Sequence, residues 1–392
     1  MNALARPAVQ RNFHRLAWFA LIMTASTIMF GSFVRLSDAG LSCPDWPTCY
    51  GRVTWPSTQV EALQHVASEI RPLETHKAWR EQVHRFLAGA LGIEVLVLAL
   101  LAARRRRFGA AQIIGACVLV ALGIPLYMSG RHVEASVIAG AGELLLLLYA
   151  WRWSNSDLSR VAVLTLAVVV FQALLGMWTV TWLLKPIVVM GHLLGSMAMF
   201  SCLLWMAWKA THLPITLVEA STLKRWLGVG VALLLCQIAL GGWVSSNYAA
   251  LACGGSSWSV NNLPKCVGQW WPAQNYAEGY TLWRGIGVDY EGGILDGASR
   301  IAIQMGHRMF AVLVAVYLWV LSLRLFRVPG LRGWAAEARH AEQAQLVALQ
   351  VCLGILNVKL ALPLAVAVAH AGGAVALLFV LLSLVARLRS PD

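Results

Sequence analysis

Residues 31–43 read GSFVRLSDAGLSC, and residues 241–253 read GGWVSSNYAALAC. In both stretches a glycine lies near the end of an apolar run, a valine follows three residues later, and a cysteine follows twelve residues after the glycine. Self-similarity at a fixed spacing is the signature of an internal repeat. The sequence therefore predicts two related halves, in which Gly241 of the second half corresponds to Gly31 of the first.

Two further sets of matches extend the repeat. The motif His84-Arg85-x-x-Ala88 recurs as His307-Arg308-x-x-Ala311, at a separation of 223. Four residues recur together at a separation of 178: Gln172, Gly176, Val180 and His192 match Gln350, Gly354, Val358 and His370. The smaller separation indicates that the first half contains an insert that the second half lacks. Residues 108–153, with two apolar runs, fit that insert.

The composition predicts an integral membrane protein. The 392 residues are 59% hydrophobic and only 12% charged, whereas a soluble globular protein has roughly 45–50% apolar and about 25% charged residues. A soluble enzyme, a nucleic-acid-binding protein and a secreted domain are excluded as descriptions of the whole chain. The net charge of +13 is explained by basic loops on one side of a membrane, so it requires no nucleic-acid partner.

Ten apolar runs are long enough to cross a bilayer, because a spanning helix needs about 20 apolar residues. We expect these spans near 16–36, 84–103, 110–128, 133–151, 161–182, 187–208, 225–246, 301–326, 343–361 and 363–387. The predicted fold is an all-α integral membrane protein with two tandem four-helix bundle repeats plus an inserted two-helix hairpin. Residues 1–208 would form the N-terminal repeat, with the hairpin at about 108–153, and residues 209–392 the C-terminal repeat. Because the insert has two spans, both repeats would face the same way across the membrane.

Basic residues in the short loops set the expected orientation. The short loops of one side contain Arg6, Arg11, Arg15, Arg104–Arg107, Arg152, Arg160, Lys209, Lys224, Arg225, Arg324, Arg327, Arg332, Arg339, Arg387 and Arg389. The short loops of the opposite side contain only Arg131, Lys185 and Lys359. We therefore expect both termini to be cytoplasmic and the two long loops, about 37–80 and 247–300, to lie outside.

Each long loop contains one cysteine pair, Cys43 with Cys49 and Cys253 with Cys266. An oxidising outer compartment would permit a disulfide in each loop. Closing such a loop would stabilise it by roughly 2–4 kcal/mol. Two pairs of free thiols are the alternative. The other four cysteines lie inside apolar runs and are expected to be small core residues.

Each half has one histidine at the start of its second helix and one in the outer part of its fourth. These are His84 and His192 in the first half and His307 and His370 in the second. Polar residues at membrane depth are costly and face the bundle interior. Two imidazoles on facing helices suit the axial positions of a haem iron, whereas zinc would need three or four ligands. We therefore expect two haem sites, with core histidines or a proton relay as the alternative.

Arg85 and Arg308 directly follow two of these histidines, at the outer interface. A guanidinium there would pair with a haem propionate. The alternative is an arginine that reaches out to the lipid headgroups.

The two halves differ at the residue three positions before the first histidine. Glu81 precedes His84, whereas Gln304 precedes His307. A spacing of three places each residue on the same helix face as its histidine. This difference predicts proton-coupled chemistry at the first site and electron transfer at the second. The alternative is a solvated glutamate at a helix N-terminus, where its charge is favoured.

Several of these motifs occur together, in one order, in a known enzyme family. They are Val34-Arg35-Leu-Ser-Asp-Ala-Gly40-Leu, Cys43-Pro-Asp-Trp-Pro-Thr-Cys49, Glu81-Gln-Val-His84-Arg85, the segment from Gln172 to His192, and His307-Arg308. In these motifs the chain resembles the haem A synthase family of cytochrome oxidase assembly enzymes. The resemblance covers nearly the whole chain except the inserted hairpin.

The resemblance implies a membrane-bound oxidoreductase that converts haem O to haem A. Such enzymes oxidise the position-8 methyl group of haem O to a formyl group in two successive hydroxylations. The resemblance places the cofactor haem b between His307 and His370 and the substrate haem O between His84 and His192. It also implies a catalytic role for Glu81.

The resemblance further implies location in a bacterial-type inner (plasma) membrane, among membrane lipid. It also implies two partner proteins, haem O synthase and an electron carrier that is not identified. The family's first-loop cysteine pair corresponds to Cys43 and Cys49. The hairpin at about 108–153 is a departure, because it gives ten spans where the family pattern has eight.

Two other functions fit parts of the pattern. A di-haem b membrane cytochrome that only transfers electrons would use the same four histidines, and only Glu81 and the family resemblance argue against it. A transporter also uses repeated units, but its polar residues gather at the membrane midplane, whereas here they gather at the outer face. A haem O synthase would need aspartate-rich diphosphate-binding motifs, which this sequence lacks.

Overall fold

A computed structural model of the protein describes residues 8–154, 157–211, 213–254, 258–328 and 334–391. The helices in these ranges are α1 (Ala8–Leu36), α2 (Gln59–Leu63), α3 (Ala67–Ile70), α4 (Thr75–Ala103), α5 (Gly109–Met128), α6 (His132–Arg152), α7 (Ser159–Thr181), α8 (Pro186–Thr211), α9 (Ala220–Ser246), α10 (Tyr276–Gly279), α11 (Gly297–Phe326), α12 (Trp334–Lys359) and α13 (Leu364–Arg387). Two short strands, β1 (Ile215–Thr216) and β2 (Leu388–Arg389), pair in parallel. Arg6 and Arg332, and the side chains of Arg11 and Arg339, lie outside what the structure describes.

Nine helices of the described ranges are long and apolar enough to cross a membrane: α1, α4 to α9, α11 and α13. The tenth predicted span corresponds to α12, whose apolar part, Ala344–Lys359, is shorter. The prediction of an all-α membrane protein is confirmed. Several helices begin earlier than expected, and α4 starts at Thr75 instead of near residue 84, because polar residues extend it into the long loop that precedes it.

The inserted hairpin consists of α5 and α6, which pack closely through small residues. A methyl group on Gly142 would lie 2.5 Å from the backbone oxygen of Ala116, and one on Gly123 would lie 2.9 Å from Cβ of Ala139. Small residues let two helix backbones approach each other inside a bilayer. The glycines therefore set the distance between the two helices.

The second half forms a closed bundle of four helices. Helix α9 packs on α11, α11 on α12, α12 on α13, and α13 on α9. Such a bundle can enclose a flat cofactor between facing helices. Among the described residues of this bundle are His307 on α11 and His370 on α13.

The chain divides into two compact units. The first comprises residues 1–27, 85–174 and 195–213, and the second comprises residues 28–84, 175–194 and 214–392. Hence the four predicted iron ligands and Glu81 all belong to the second unit, whereas Arg85 belongs to the first. The division of the chain into repeats at 1–208 and 209–392 stays a prediction.

Both predicted disulfides are present, Cys43–Cys49 and Cys253–Cys266. In both loops the second cysteine makes the same backbone hydrogen bond, from its N–H to the carbonyl oxygen three residues later. The Cys49 N–H donates to the Arg52 carbonyl at 2.9 Å, and the Cys266 N–H donates to the Gln269 carbonyl at 2.8 Å. The alternative of two free thiol pairs is therefore wrong.

Sharp turns at residues with left-handed φ, here called corners, recur at the residue separations that relate the two halves of the predicted repeat. Asp38 after α1 and Tyr248 after α9, which correspond in the same register as Gly31 and Gly241, have φ values of 50° and 52°. The corner Leu183–Leu184 has φ values of 49° and 59°, and Ala361–Leu362, in the register that relates His192 to His370, has 56° and 59°. Left-handed φ is uncommon for such residues. Its recurrence at matching positions supports the predicted repeat.

The packing of the hairpin leads to a testable expectation. Gly142→Ala should destabilise the protein by about 1–3 kcal/mol, because the added methyl group forces α5 away from α6. The measurement is the thermal unfolding midpoint in detergent. The matched control is Gly140→Ala, where a methyl group on the same helix meets nothing within 4 Å. Equal midpoints for the two variants would contradict this account of the hairpin.

Candidate functional site

Glu81 lies on α4, one turn before His84, and is buried. Its Oε2 accepts a hydrogen bond from the Cys43 N–H at 2.8 Å and another from the Ser42 hydroxyl at 3.1 Å. Because Cys43 is a disulfide residue, its N–H belongs to a closed loop. The long loop between α1 and α4 therefore orients the carboxylate of Glu81.

A network around Asp45 keeps this loop ordered. Asp45 accepts hydrogen bonds from the Thr48 hydroxyl at 2.5 Å, the Tyr50 N–H at 2.5 Å and the Gly51 N–H at 2.9 Å. Burial, together with the negative charges of Asp45 and Glu81, raises the pKa of Tyr50 to about 12. Tyr50 therefore stays neutral at physiological pH, and it adds no charge near Glu81.

In the first half, each predicted iron ligand lies against a glycine of a neighbouring helix. A methyl group on Gly31 of α1 would lie 2.8 Å from Cε1 of His84. A methyl group on Gly176 of α7 would lie 3.5 Å from Cε1 of His192. The ring of Phe30 lies nearly parallel to that of His84, with centroids 6.4 Å apart. The imidazoles are thus positioned by steric contact.

The second half repeats this arrangement. A methyl group on Gly241 of α9 would lie 3.2 Å from Cε1 of His307, and one on Gly354 of α12 would lie 3.2 Å from Cε1 of His370. The amide nitrogen of Gln237 lies 3.1 Å from Nδ1 of His307. Sequence reasoning missed Gln237. Its position one turn before the repeated glycine was the available signal, since that spacing places both residues on one face of α9.

Gln304 and Arg308 lie on either side of His307 along α11. Gln304 is 3% exposed, and its Oε1 is buried without a hydrogen-bond partner in the described part of the chain. Arg308 donates through Nη1 to the carbonyl oxygens of Asn262 and Lys265, at 3.1 and 3.4 Å. Its Nε and Nη2 are buried and make no hydrogen bond to any residue that the structure describes. These donors remain available to an anionic group.

The side chains fit a haem better than a directly bound metal ion. Across the described ranges, no group of three or more His, Cys, Asp or Glu side chains is arranged to hold a metal. Paired imidazoles are the usual axial ligands of a haem iron. The orphaned donors of Arg308 suit a propionate. Arg85 is half-buried on α4, directly after His84.

Comparison with known proteins agrees with this chemistry. The model of a family described as "Cytochrome oxidase assembly protein" matches residues 14–125 and 131–382. A protein of Shewanella oneidensis named heme A synthase is 35% identical over 379 residues, covering 94% of this chain and 96% of its own. Proteins of the same name from Caulobacter vibrioides and Paracoccus denitrificans are 26% and 28% identical, covering 95% and 92% of this chain and 96% and 84% of their own.

The matched regions include all four histidines, Glu81 and both cysteine pairs, and the family match extends through most of the inserted hairpin. The resemblance predicted from the motifs is confirmed. The chain belongs to the haem A synthase family of cytochrome oxidase assembly proteins.

Proposed function

We propose that the protein is a haem A synthase, which oxidises the position-8 methyl group of haem O to a formyl group by two successive hydroxylations. Family membership gives the reaction class. The observation that carries the proposal is the buried carboxylate of Glu81, held by two hydrogen-bond donors one turn from a histidine. A protein that only transfers electrons has no need of such a group.

His84 and His192 would hold the iron of haem O, and His307 and His370 that of haem b. Four matching contacts with glycines support this pairing, because in each the Cε1 atom of the imidazole lies close to a glycine of a neighbouring helix. A bound haem b supplies one-electron chemistry. The free donors of Arg308 would bind one of its propionates, and Arg85 would have the same role at the first site.

Glu81 has two tasks in this scheme. Each hydroxylation by water would release two electrons to the electron carrier, one proton from the methyl group and one proton from the water. The negative charge of Glu81 would stabilise the positive charge that develops at the methyl carbon of haem O, and its carboxylate would accept the proton from the attacking water. The Ser42 hydroxyl and the Cys43 N–H fix the carboxylate before the substrate arrives, so the charge needs little reorganisation during the reaction. Gln304, at the matching position of the second half, is neutral and cannot accept that proton.

The protein would lie in a bacterial-type inner membrane with both termini cytoplasmic and both disulfide loops outside. Its partners would be membrane lipid, an electron carrier and haem O synthase, which supplies the substrate. The two tandem repeats would each provide one haem site.

Glu81→Gln should lower haem A formation by about 10²–10³-fold, because it removes a preorganised charge and the proton acceptor. The measurement is extraction and chromatography of haem from membranes of a host that makes haem O but no haem A. The matched control is Glu69→Gln, an exposed carboxylate of α3. Both variants should keep the absorbance of resident haem b, and undiminished haem A in Glu81→Gln would refute the role of this residue.

His307→Ala should abolish the absorbance spectrum of resident haem b, because it removes one of the two imidazoles that would hold the haem iron. The measurement is the reduced-minus-oxidised spectrum of the purified protein. His76→Ala, at the exposed start of α4, is the control and should leave the spectrum unchanged. A full spectrum in His307→Ala would count against the assignment. Wild-type protein that yields haem B alone would favour the di-haem cytochrome.

A further inference from the structure

Lys185 is a buried cation that the scheme above leaves without a role. The residue directly precedes α8 and is 0% exposed. Its Nζ makes no hydrogen bond within the described ranges of the chain. The ammonium lies 3.3 Å from the ring centroid of Trp283 and 5.3 Å from that of Trp182. Two aromatic faces therefore hold the charge, but no acceptor satisfies its donors.

The free-energy cost of burying this ammonium is only partly offset by its contacts. A buried ammonium normally requires hydrogen-bond acceptors or a counter-ion, and a cation–π contact replaces only part of the lost hydration. Burial lowers the pKa of Lys185 accordingly. Lys359, a buried lysine at the end of α12, is satisfied by contrast, because its Nζ donates to the carbonyl oxygens of Ser259 and Leu263 at 2.8 and 3.1 Å.

The position of Lys185 relates it to the first predicted haem site. It lies seven residues before His192, which is two helical turns, or about 10 Å along α8 towards the outer surface. A porphyrin whose iron is bound by His192 must direct its two carboxylates towards this outer end, because ionised groups are excluded from the hydrocarbon interior. The distance from the central iron of a porphyrin to a carboxylate at its edge is similar to this distance along α8.

The outer loop of the second half closes over this corner. The Tyr290 N–H donates to the Leu183 carbonyl at 3.1 Å. Tyr290 is buried in a cluster with Leu184, Leu41 and Val180. Trp283 belongs to the same loop and packs edge-on against Trp182, with ring centroids 6.1 Å apart. The ammonium is thus shielded from water, which strengthens its attraction for an anion.

The matching corner of the second half has similar left-handed backbone angles, but the position that corresponds to Lys185 carries no cation. Leu183–Leu184 and Ala361–Leu362 share left-handed φ values, but the residue that corresponds to Lys185 in this register is Pro363. A lysine at this register position therefore occurs only in the half in which we place the substrate, whereas the buried Lys359 of the other half lies four residues before Pro363 and is bonded to two carbonyl oxygens. A lysine carries a compact charge on a flexible side chain, and the Nζ of Lys185 has no acceptor among the described residues, so its donors could bind a carboxylate.

We propose that the ammonium of Lys185 binds a propionate carboxylate of the porphyrin substrate held by His84 and His192. This inference rests on the proposed function, and it gives the first site a carboxylate-binding residue besides Arg85. The Trp182 and Trp283 rings hold the ammonium in place before the substrate arrives.

The test compares haem O with its dimethyl ester, which lacks both negative charges. Binding of each compound to the purified full-length protein is measured by absorbance titration. The variants are Lys185→Met and Lys185→Arg. The control is Lys265→Met, which removes another outer-loop lysine near a tryptophan, with Nζ 5.8 Å from the ring centroid of Trp270. Resident haem b absorbance reports on folding in every sample.

Wild type and Lys265→Met should bind haem O at least about tenfold more tightly than the ester. Lys185→Met should bind the free acid about tenfold more weakly than wild type and lose most of its preference over the ester, because a charge-assisted hydrogen bond has been removed. Lys185→Arg should retain much of the preference.

An unchanged preference in Lys185→Met would overturn the inference, as would equal weakening for the acid and the ester, which indicates a structural role. So would loss of co-purified anionic phospholipid with no change in the acid-to-ester ratio, because the partner would then be a lipid headgroup. If Lys185→Met fails to fold, the absence of an acid preference in wild type would refute the inference without any variant. Failure of the proposed function has a different signature, since wild type would then bind neither compound.

Discussion

The close approach of an imidazole to a glycine of the next helix is the constraint on which the site depends. At Gly31 the space between the α1 backbone and His84 is too small for even a methyl group, and Gly241 and Gly354 hold their histidines almost as tightly. A bond between a histidine and an iron requires a fixed ring orientation, and here backbone contact contributes to that fixation. The glycine and the histidine therefore form one unit of structure, and they recur together in the sequence.

This coupling explains what could be predicted from sequence. Glycine and histidine positions, cysteine pairs and the limits of the hairpin are local signals, which spacing and apolar periodicity are sufficient to reveal. The anchorage of Glu81 on the Cys43 N–H was not predictable, because it depends on how a long loop folds back on α4. The same holds for Lys185, whose burial is created by Trp283, a residue of the other long loop.

The two halves of the predicted repeat differ in their polar residues. At positions related by the repeat, the first half has Glu81 and Lys185 where the second has Gln304 and Pro363. The backbone just before Lys185 and just before Pro363 has similar left-handed φ values, and Glu81 and Gln304 both lie on helices. At these two positions of the predicted repeat, the first half therefore carries a carboxylate and an ammonium, and the second half carries neutral residues.

The charges of Glu81 and Lys185 are compensated by different contacts, and the difference fits their proposed tasks. The carboxylate of Glu81 accepts two hydrogen bonds from a loop closed by a disulfide, so its position is set in the absence of substrate. The ammonium of Lys185 lies between aromatic rings that hold a cation but satisfy none of its donors. A group that must act at one atom benefits from full preorganisation. A group that must bind and release a carboxylate needs hydrogen-bond donors that are not already occupied, because a permanent acceptor would compete with the ligand.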